Sequence, residues 1–172
     1  MIRSIRAKVV LIAVLSALAL TSLEVIALIS RERVSHSVHK GETLNREVIL
    51  AFEMSLANVE MTLAAMDSII DREEGRILPE RRKIIDDSVR TFRENAGELL
   101  ELVQSDEERA LVRSALEHME PLAKAISEEL PRLVESGAPV SAFREIDAQV
   151  DEHGKAVKET LVRIEKEIEE RF

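Results

Sequence analysis

A chain of 172 residues, of which 45% are apolar and 33% charged, has enough apolar side chains for one core and an appendage, and its net charge is −9. Only 2% of its residues are aromatic and it has no Trp or Tyr, so the composition favours long helices over sheets or aromatic-lined catalytic clefts. The absence of Cys excludes disulfides, thiolate metal sites and a Cys nucleophile, and the acidic balance argues against nucleic acid as a partner.

The longest apolar stretch is Val9–Ile29, which has 21 residues. As a helix it would be ~31 Å long, which matches the ~30 Å hydrocarbon core of a bilayer. A cleaved signal peptide is the alternative, because Ala17-Leu18-Ala19 resembles a cleavage site, but the apolar run continues ten residues past Ala19. We therefore predict an uncleaved transmembrane helix at 9–29.

Charges on both sides of this span bear on its orientation. Three basic residues lie within 1–8 and favour a cytoplasmic N-terminus, while Arg31 and Arg33 after the span reduce the asymmetry. From Ser30 onward the chain has 21 basic and 32 acidic residues, a formal charge of −11. Such a surface should repel nucleic acid and anionic lipid headgroups.

The first helix after the span is predicted at about 30–74, and its apolar residues recur at spacings of three and four. They are Ile49, Phe52, Leu56, Val59, Leu63, Met66 and Ile70. Such an a/d seam predicts packing against neighbouring helices at a shallow angle. Met54 and Met61 lie beside the seam and are predicted to be in the core or on a dimer surface. Gly41 is a position where a kink, at ~1 kcal/mol relative to Ala, would separate this helix from the transmembrane helix.

Three further helices are predicted at about 79–104, 106–135 and 140–171. The pattern Ser105-x-x-Glu108 is a capping box that begins the third helix directly after the second. Short turns between four seamed helices predict an all-α, antiparallel up-down four-helix bundle over 30–172. Its long first helix is expected to continue from the N-terminal transmembrane helix.

Two prolines, Pro121 and Pro131, lie inside the third predicted helix. A proline removes a backbone donor and clashes with the preceding turn, which kinks or breaks a helix. The apolar register nevertheless passes through both positions without a change of phase. We therefore predict one kinked helix rather than two.

Candidate sites are few. Glu32, His36 and His39 can share one helix face at a spacing that suits a divalent metal, although a solvated face beside the membrane is the preferred interpretation. His153 occupies a seam position of the fourth helix and is predicted to be a buried, hydrogen-bonded core histidine rather than a ligand or pH switch. The chain has no Glu-x-x-His pair, phosphate loop or Ser/His/Asp grouping, so no catalytic residue, cofactor or enzymatic activity is predicted.

The whole chain resembles the four-helix-bundle sensor domains of bacterial methyl-accepting chemotaxis receptors and related sensor kinases. The residues that carry the resemblance are the basic N-terminus, the span Val9–Ile29, the helix that continues to Ile70, the first turn within Ala64–Ser88 (AAMDSIIDREEGRILPERRKIIDDS) and the segment SDEERALV that begins at Ser105. The resemblance implies a periplasmic bundle that dimerises through its first helices and binds small ligands. The family's second span, HAMP linker and signalling domain are not in this sequence, and no family ligand residue can be matched to it.

We therefore expect a sensory input module of the bacterial inner membrane that has one membrane span within the given residues, a cytoplasmic N-terminus and its bundle in the periplasm or outside the cell. Its expected partners are the membrane, a second copy through the first helix, and a small-molecule or periplasmic protein ligand. The signal would be a small displacement of the fourth helix relative to the first. The alternatives are a stand-alone anchored binding or metal-sensing protein and a structural dimerising stalk.

Overall fold

The structure, a computed structural model, describes residues 41–171, and all regular secondary structure in that part of the chain is helical. The chain divides into two units between Thr43 and Leu44, and the contacts below lie within the second unit. Four helices are present: α1 (Gly41–Ile70), α2 (Pro79–Leu102), α3 (106–135) and α4 (Val140–Glu169). A short 3₁₀ turn, Arg72–Glu74, follows α1 and ends at Gly75.

Local signals explain where these helices begin and end. The predicted capping box is confirmed, because the Ser105 hydroxyl accepts from the Glu108 N–H at 3.0 Å and Oε2 of Glu108 accepts from the Ser105 N–H at 3.0 Å. α3 ends at Gly137, whose φ of 62° is readily available only to glycine. There the N–H of Ala138 donates to Leu133 O and that of Gly137 to Val134 O, which satisfies the last carbonyls of the helix.

α3 passes both prolines without interruption, as predicted. It consists of an α-helical part, Asp106–Lys124, a π-helical segment, Ala125–Glu129, and a final α-helical part, Leu130–Glu135. Pro131 lies two residues after the π segment and has no N–H to donate. The N–H of Leu130 donates to Ala125 O, five residues back, so the helix is widened directly before the proline.

Neighbouring helices are joined by polar contacts as well as by the apolar core. Four contacts join α1 to α2, and residue numbers rise along α1 as they fall along α2: Arg46–Glu98, Glu53–Asn95, Glu60–Ser88 and Asp67–Arg81. Arg93 of α2 binds Glu120 of α3 at 2.8 Å, and Asn58 of α1 donates to Gly154 O of α4 at 3.1 Å. The largest fully buried side chain, Phe92, comes from α2.

Two predictions about burial are wrong. The predicted seam of α1 does not face this core, because six of its seven residues are exposed and Met66 is half-buried. His153 is likewise only half-buried, and its neighbour Gly154 is the residue that lies buried against α1. The α-helix of α1 also ends at Ile70, four residues before the predicted end at 74.

Candidate functional site: the outer face of α1

α1 is apolar on two opposite faces. The inner face consists of small and flexible side chains that are buried in the core: Leu44, Leu50, Ala51, Met54, Ala57, Met61, Ala64 and Ala65. The outer face is the heptad seam, and its large side chains reach exposures of 63% at Phe52 and 69% at Ile70. An apolar helix face is normally covered, but this outer face is exposed and has no cover among the described residues.

The outer face of α1 holds most of the exposed large hydrophobic side chains of the described residues. Six of the nine belong to this one stripe: Ile49, Phe52, Leu56, Val59, Leu63 and Ile70. Single exposed apolar residues are ordinary, but a contiguous row marks an interaction surface. The seven-residue period of the row matches the surface of a second helix.

The same two-faced composition makes α1 the one described helix that is long and apolar enough to cross a membrane. This is weak evidence for a membrane span, since the core helix of a soluble protein passes the same test. α1 also carries Arg46, Glu53, Glu60 and Asp67, all of which contact α2. Its two apolar faces, of which the inner one is buried in the core, account for its hydropathy. The predicted anchor at 9–29 lies outside the described residues.

One edge of the outer face is acidic. Glu53, Glu60 and Asp67 are spaced by seven residues and border a groove of about 560 Å³ between α1 and α2. Leu56 and Leu63 of the seam belong to the lining of the same groove. The opposite edge is neutral, with Ser55 and Thr62. The two edges thus differ in charge along the middle of the seam, between 53 and 67.

The residues of the neutral edge, together with Asn58, contact α4. Asn58 donates to Gly154 O at 3.1 Å, and Ser55 donates to Glu165 at 3.3 Å. A Cβ added at Gly154 would meet the Thr62 hydroxyl at 3.3 Å, so the helices are unusually close there. The Asn58 Oδ1 and Thr62 Oγ1 atoms are buried without a hydrogen-bond partner. The α1–α4 contact is therefore close and polar, and two of its buried polar atoms make no hydrogen bond.

A buried ion cluster joins α1, the start of α3 and the end of α4. Glu47 and Glu108 are 0% and 2% exposed, and Arg171 forms an ion pair with both. Burial raises the pKa of Glu47 above its ordinary value; the Arg171 charge and hydrogen bond oppose the rise, and the Glu108 charge adds to it. Two atoms of the cluster, Oε1 of Glu47 and Nε of Arg171, are buried without a hydrogen-bond partner.

Sequence reasoning did not predict this cluster. Glu47 and Arg171 are 124 positions apart, and neither belongs to a recognisable motif. The one available signal was that Glu47 falls on the inner face of α1, two residues before Ile49. A charged residue on a core-facing position requires a partner.

The candidate metal ligands Glu32, His36 and His39, for which a solvated face is the preferred interpretation, lie outside the described residues. Within 41–171, no three His, Asp or Glu side chains are grouped so that they could hold a metal ion. Met54 and Met61 are both fully buried, which places them in the core. His118 and His153 are half-buried.

Comparisons of the chain with protein-family models, with curated proteins and with solved structures found no match. The resemblance to chemoreceptor sensor domains therefore remains a prediction from the sequence.

Proposed function

We propose that the chain is the sensory input module of a bacterial chemoreceptor or sensor kinase, anchored in the inner membrane by 9–29 with its N-terminus in the cytoplasm. The four helices would form an antiparallel up-down bundle outside the cytoplasm. The opposed numbering of the α1–α2 contacts supports this topology. The formal charge of −11 from Ser30 onward supports a bundle that stands clear of anionic headgroups.

The observation that carries the proposal is the exposed seam of α1. A second copy of the chain is its proposed cover, because two identical heptad seams are complementary to each other. In a parallel pair, the acidic edge of one copy, with Glu53 and Glu60, would face the neutral edge of the other, with Ser55 and Thr62. An antiparallel pair would bring the two acidic edges together. Two anchors in one membrane also require the parallel arrangement.

The proposed signal is a displacement of α4 relative to α1. A helical bundle transmits rigid-body shifts of packed helices rather than absorbing them. The α1–α4 contact suits a small shift, since it is built around Gly154 and holds two polar atoms without partners. The ligand would be a small molecule or a periplasmic protein. The proposed module has no catalytic residue, cofactor or nucleic-acid partner.

Sedimentation of the full chain in detergent tests the dimer. We expect a dimer for the natural sequence and a monomer for the double variant Phe52→Asn/Val59→Asn. The matched control is Val162→Asn on α4, a side chain that is 53% exposed but outside the seam, and it should leave the mass unchanged. A natural chain that sediments as a monomer at every concentration, or equal behaviour of the seam variant and the control, would contradict the proposal.

A dimerising stalk without a ligand is the second candidate, because it uses the same exposed seam. The two candidates differ at the α1–α4 contact. In a stalk, disulfide formation between cysteines at Ser55 and Glu165 would proceed at one rate whatever is added. In a sensor, that rate changes when a ligand binds. The stand-alone metal-sensing alternative depends on residues outside 41–171, and no described observation favours it.

A further inference from the structure

The end of α4 is tied to two other parts of the chain through one side chain. Arg171 follows α4 by two residues, and its guanidinium pairs with Glu47 of α1. Its Nε lies 2.8 Å from Oε1 of Glu108, in the first turn of α3. The Arg171 side chain is 24% exposed, whereas both carboxylates are almost completely buried.

Glu108 serves both the capping box and the ion cluster. Its Oε2 accepts from the N–H groups of Ser105 and Gln104, at 3.0 and 3.2 Å, and its Oε1 faces Arg171. The capping box fixes the position of this carboxylate, because the side chain is held to the backbone at the start of α3. Glu47 is held by the body of α1, where it lies on the buried face. Arg171 therefore lies between two carboxylates whose positions are fixed by α1 and by the capping box.

The cost of separating these charges is high. Two carboxylates buried without a cation would be strongly unfavourable, and Arg171 is the one cation paired with either of them among the described residues. The planar guanidinium fork reaches both carboxylates: Nη2 donates to Oε2 of Glu47, whereas Nε pairs with Glu108 by charge and makes no hydrogen bond. Any axial shift of α4 against α1 and α3 has to stretch or break at least one of these pairs.

We propose that Arg171 is a register lock: by pairing with Glu47 and Glu108 together, it holds the end of α4 at one axial position against α1 and α3. The contact of Asn58 with Gly154 supports the same register near the middle of α4. The sensing role of the lock rests on the proposed function, since a signal carried by α4 would have to pass between a locked and an unlocked state. The lock itself is a property of the fold.

Hydrogen exchange of the full chain in lipid nanodiscs tests the lock. In Arg171→Ala, the backbone amides of 160–170 should exchange on the order of a hundredfold faster than in the natural chain. Arg163→Ala is the matched control, because Arg163 is an exposed arginine on the same helix, and it should leave exchange unchanged. The variant Glu47→Gln/Arg171→Ala should exchange more slowly than Arg171→Ala, because it removes one of the carboxylates left without a cation.

Disulfide formation measures the register directly, since the chain has no native Cys. Cysteines at Ser55 and Glu165, whose side chains are hydrogen-bonded at 3.3 Å, should form a disulfide several-fold more slowly once Arg171→Ala is added. If Arg171→Ala does not fold, Arg171→Lys retains the charge without the fork and should show a smaller slowing.

Two results would overturn the lock: equal exchange in Arg171→Ala and Arg163→Ala, or faster exchange of 160–170 with an unchanged disulfide rate. The second result would mean that the helix end frays without a change of register. The proposed function fails separately, if the seam of α1 does not dimerise while the Arg171 measurements come out as expected.

Discussion

Gly154 of α4 lies directly against Thr62 of α1, so closely that an added Cβ would come within 3.3 Å of the Thr62 hydroxyl. The backbone of α4 can approach α1 at this point because the residue has no side chain. The neighbouring Asn58 uses the approach to donate to Gly154 O. The position is thus a steric and polar contact between the two helices whose relative displacement we propose as the signal.

Gly154→Ala should therefore stabilise the protein less than an ordinary glycine-to-alanine change in a helix. The helical preference of Ala contributes ~1 kcal/mol to the free energy of unfolding, but the new methyl group would crowd Thr62. In the Thr62→Ala background most of that ~1 kcal/mol should return. Urea unfolding of the natural chain, the two single variants and the double variant measures the coupling energy between positions 62 and 154.

The matched control for that cycle is Gly97→Ala. Gly97 is an exposed glycine within α2, and a Cβ there would meet nothing within 4 Å. The substitution should stabilise the protein by the full ~1 kcal/mol. Equal effects at Gly154 and Gly97 would show that the close approach costs nothing.

Burial predicts opposite consequences for two apolar residues of α1. Met61 is 0% exposed and Leu63 is 55% exposed. Met61→Ala should lower the free energy of unfolding by ~2–5 kcal/mol, because it leaves a cavity in the core. Leu63→Ala should change it by less than ~0.5 kcal/mol at protein concentrations where the chain is monomeric.

Leu63→Ala should instead weaken the proposed dimer. Sedimentation equilibrium of the same two variants separates the two roles, since it reports the association constant rather than the stability of the fold. A Leu63→Ala chain that unfolds as readily as Met61→Ala would place Leu63 inside the core and contradict the described orientation of α1.

Loss of the capping box should destabilise the protein less than loss of the buried Met61 side chain. Ser105→Ala removes the hydroxyl that accepts from the Glu108 N–H, so the free energy of unfolding should fall by ~1 kcal/mol. Glu108→Gln should cost more, because the same side chain also pairs with Arg171. Urea unfolding checks the order, and a greater loss for Ser105→Ala would show that the ion pair contributes little.

The raised pKa of Glu47 should make the free energy of unfolding depend on pH. Because its pKa is raised in the folded protein, Glu47 ionises more readily in the unfolded chain, and ionisation favours unfolding. The stability of the natural chain relative to Glu47→Gln should therefore be greatest below the ordinary pKa of a glutamate. It should fall as the pH rises towards the raised pKa of the folded state and then become constant.

Urea unfolding of both chains at several pH values between about 4 and 8 measures this difference. Glu94→Gln, at a side chain that is 68% exposed, controls for the loss of one carboxylate. A relative stability that rises with pH would mean that Arg171 overcompensates for the burial of Glu47.

Much of the helical framework could be predicted because its signals are local. The capping box at Ser105, the passage of the apolar register through Pro131 and the end of α3 at about 135 each depend on residues within a turn or two. The orientation of α1 could not be predicted in the same way. Its large apolar residues form the clearest period, whereas the inner face is built from weakly apolar side chains such as Ala51 and Ala57.

A hydrophobic period predicts that a helix face packs against another surface. It does not show whether that surface belongs to the same chain or to a partner. The seam of α1 thus predicts packing against neighbouring helices, but the period does not show that the seam lies outside the core of its own chain. The burial predicted for His153 is wrong for a related reason, because its seam position differs by one residue from that of Gly154, which makes the contact with α1. The pairing of Glu47 with Arg171 depends on the folded arrangement of three helices, and nothing local encodes it.

The most direct test of the outer face of α1 is a scan of single cysteines along 49–70 in full-length chains in membranes. We expect disulfide-linked dimers to form fastest at the seam positions Phe52, Leu56, Val59 and Leu63, with the rate rising and falling every three to four residues. A cysteine at Arg90, which is 62% exposed on α2, should link slowly. Equal rates along α1, or faster linking at Arg90 than at the seam, would contradict the dimer interface on which the proposed function rests.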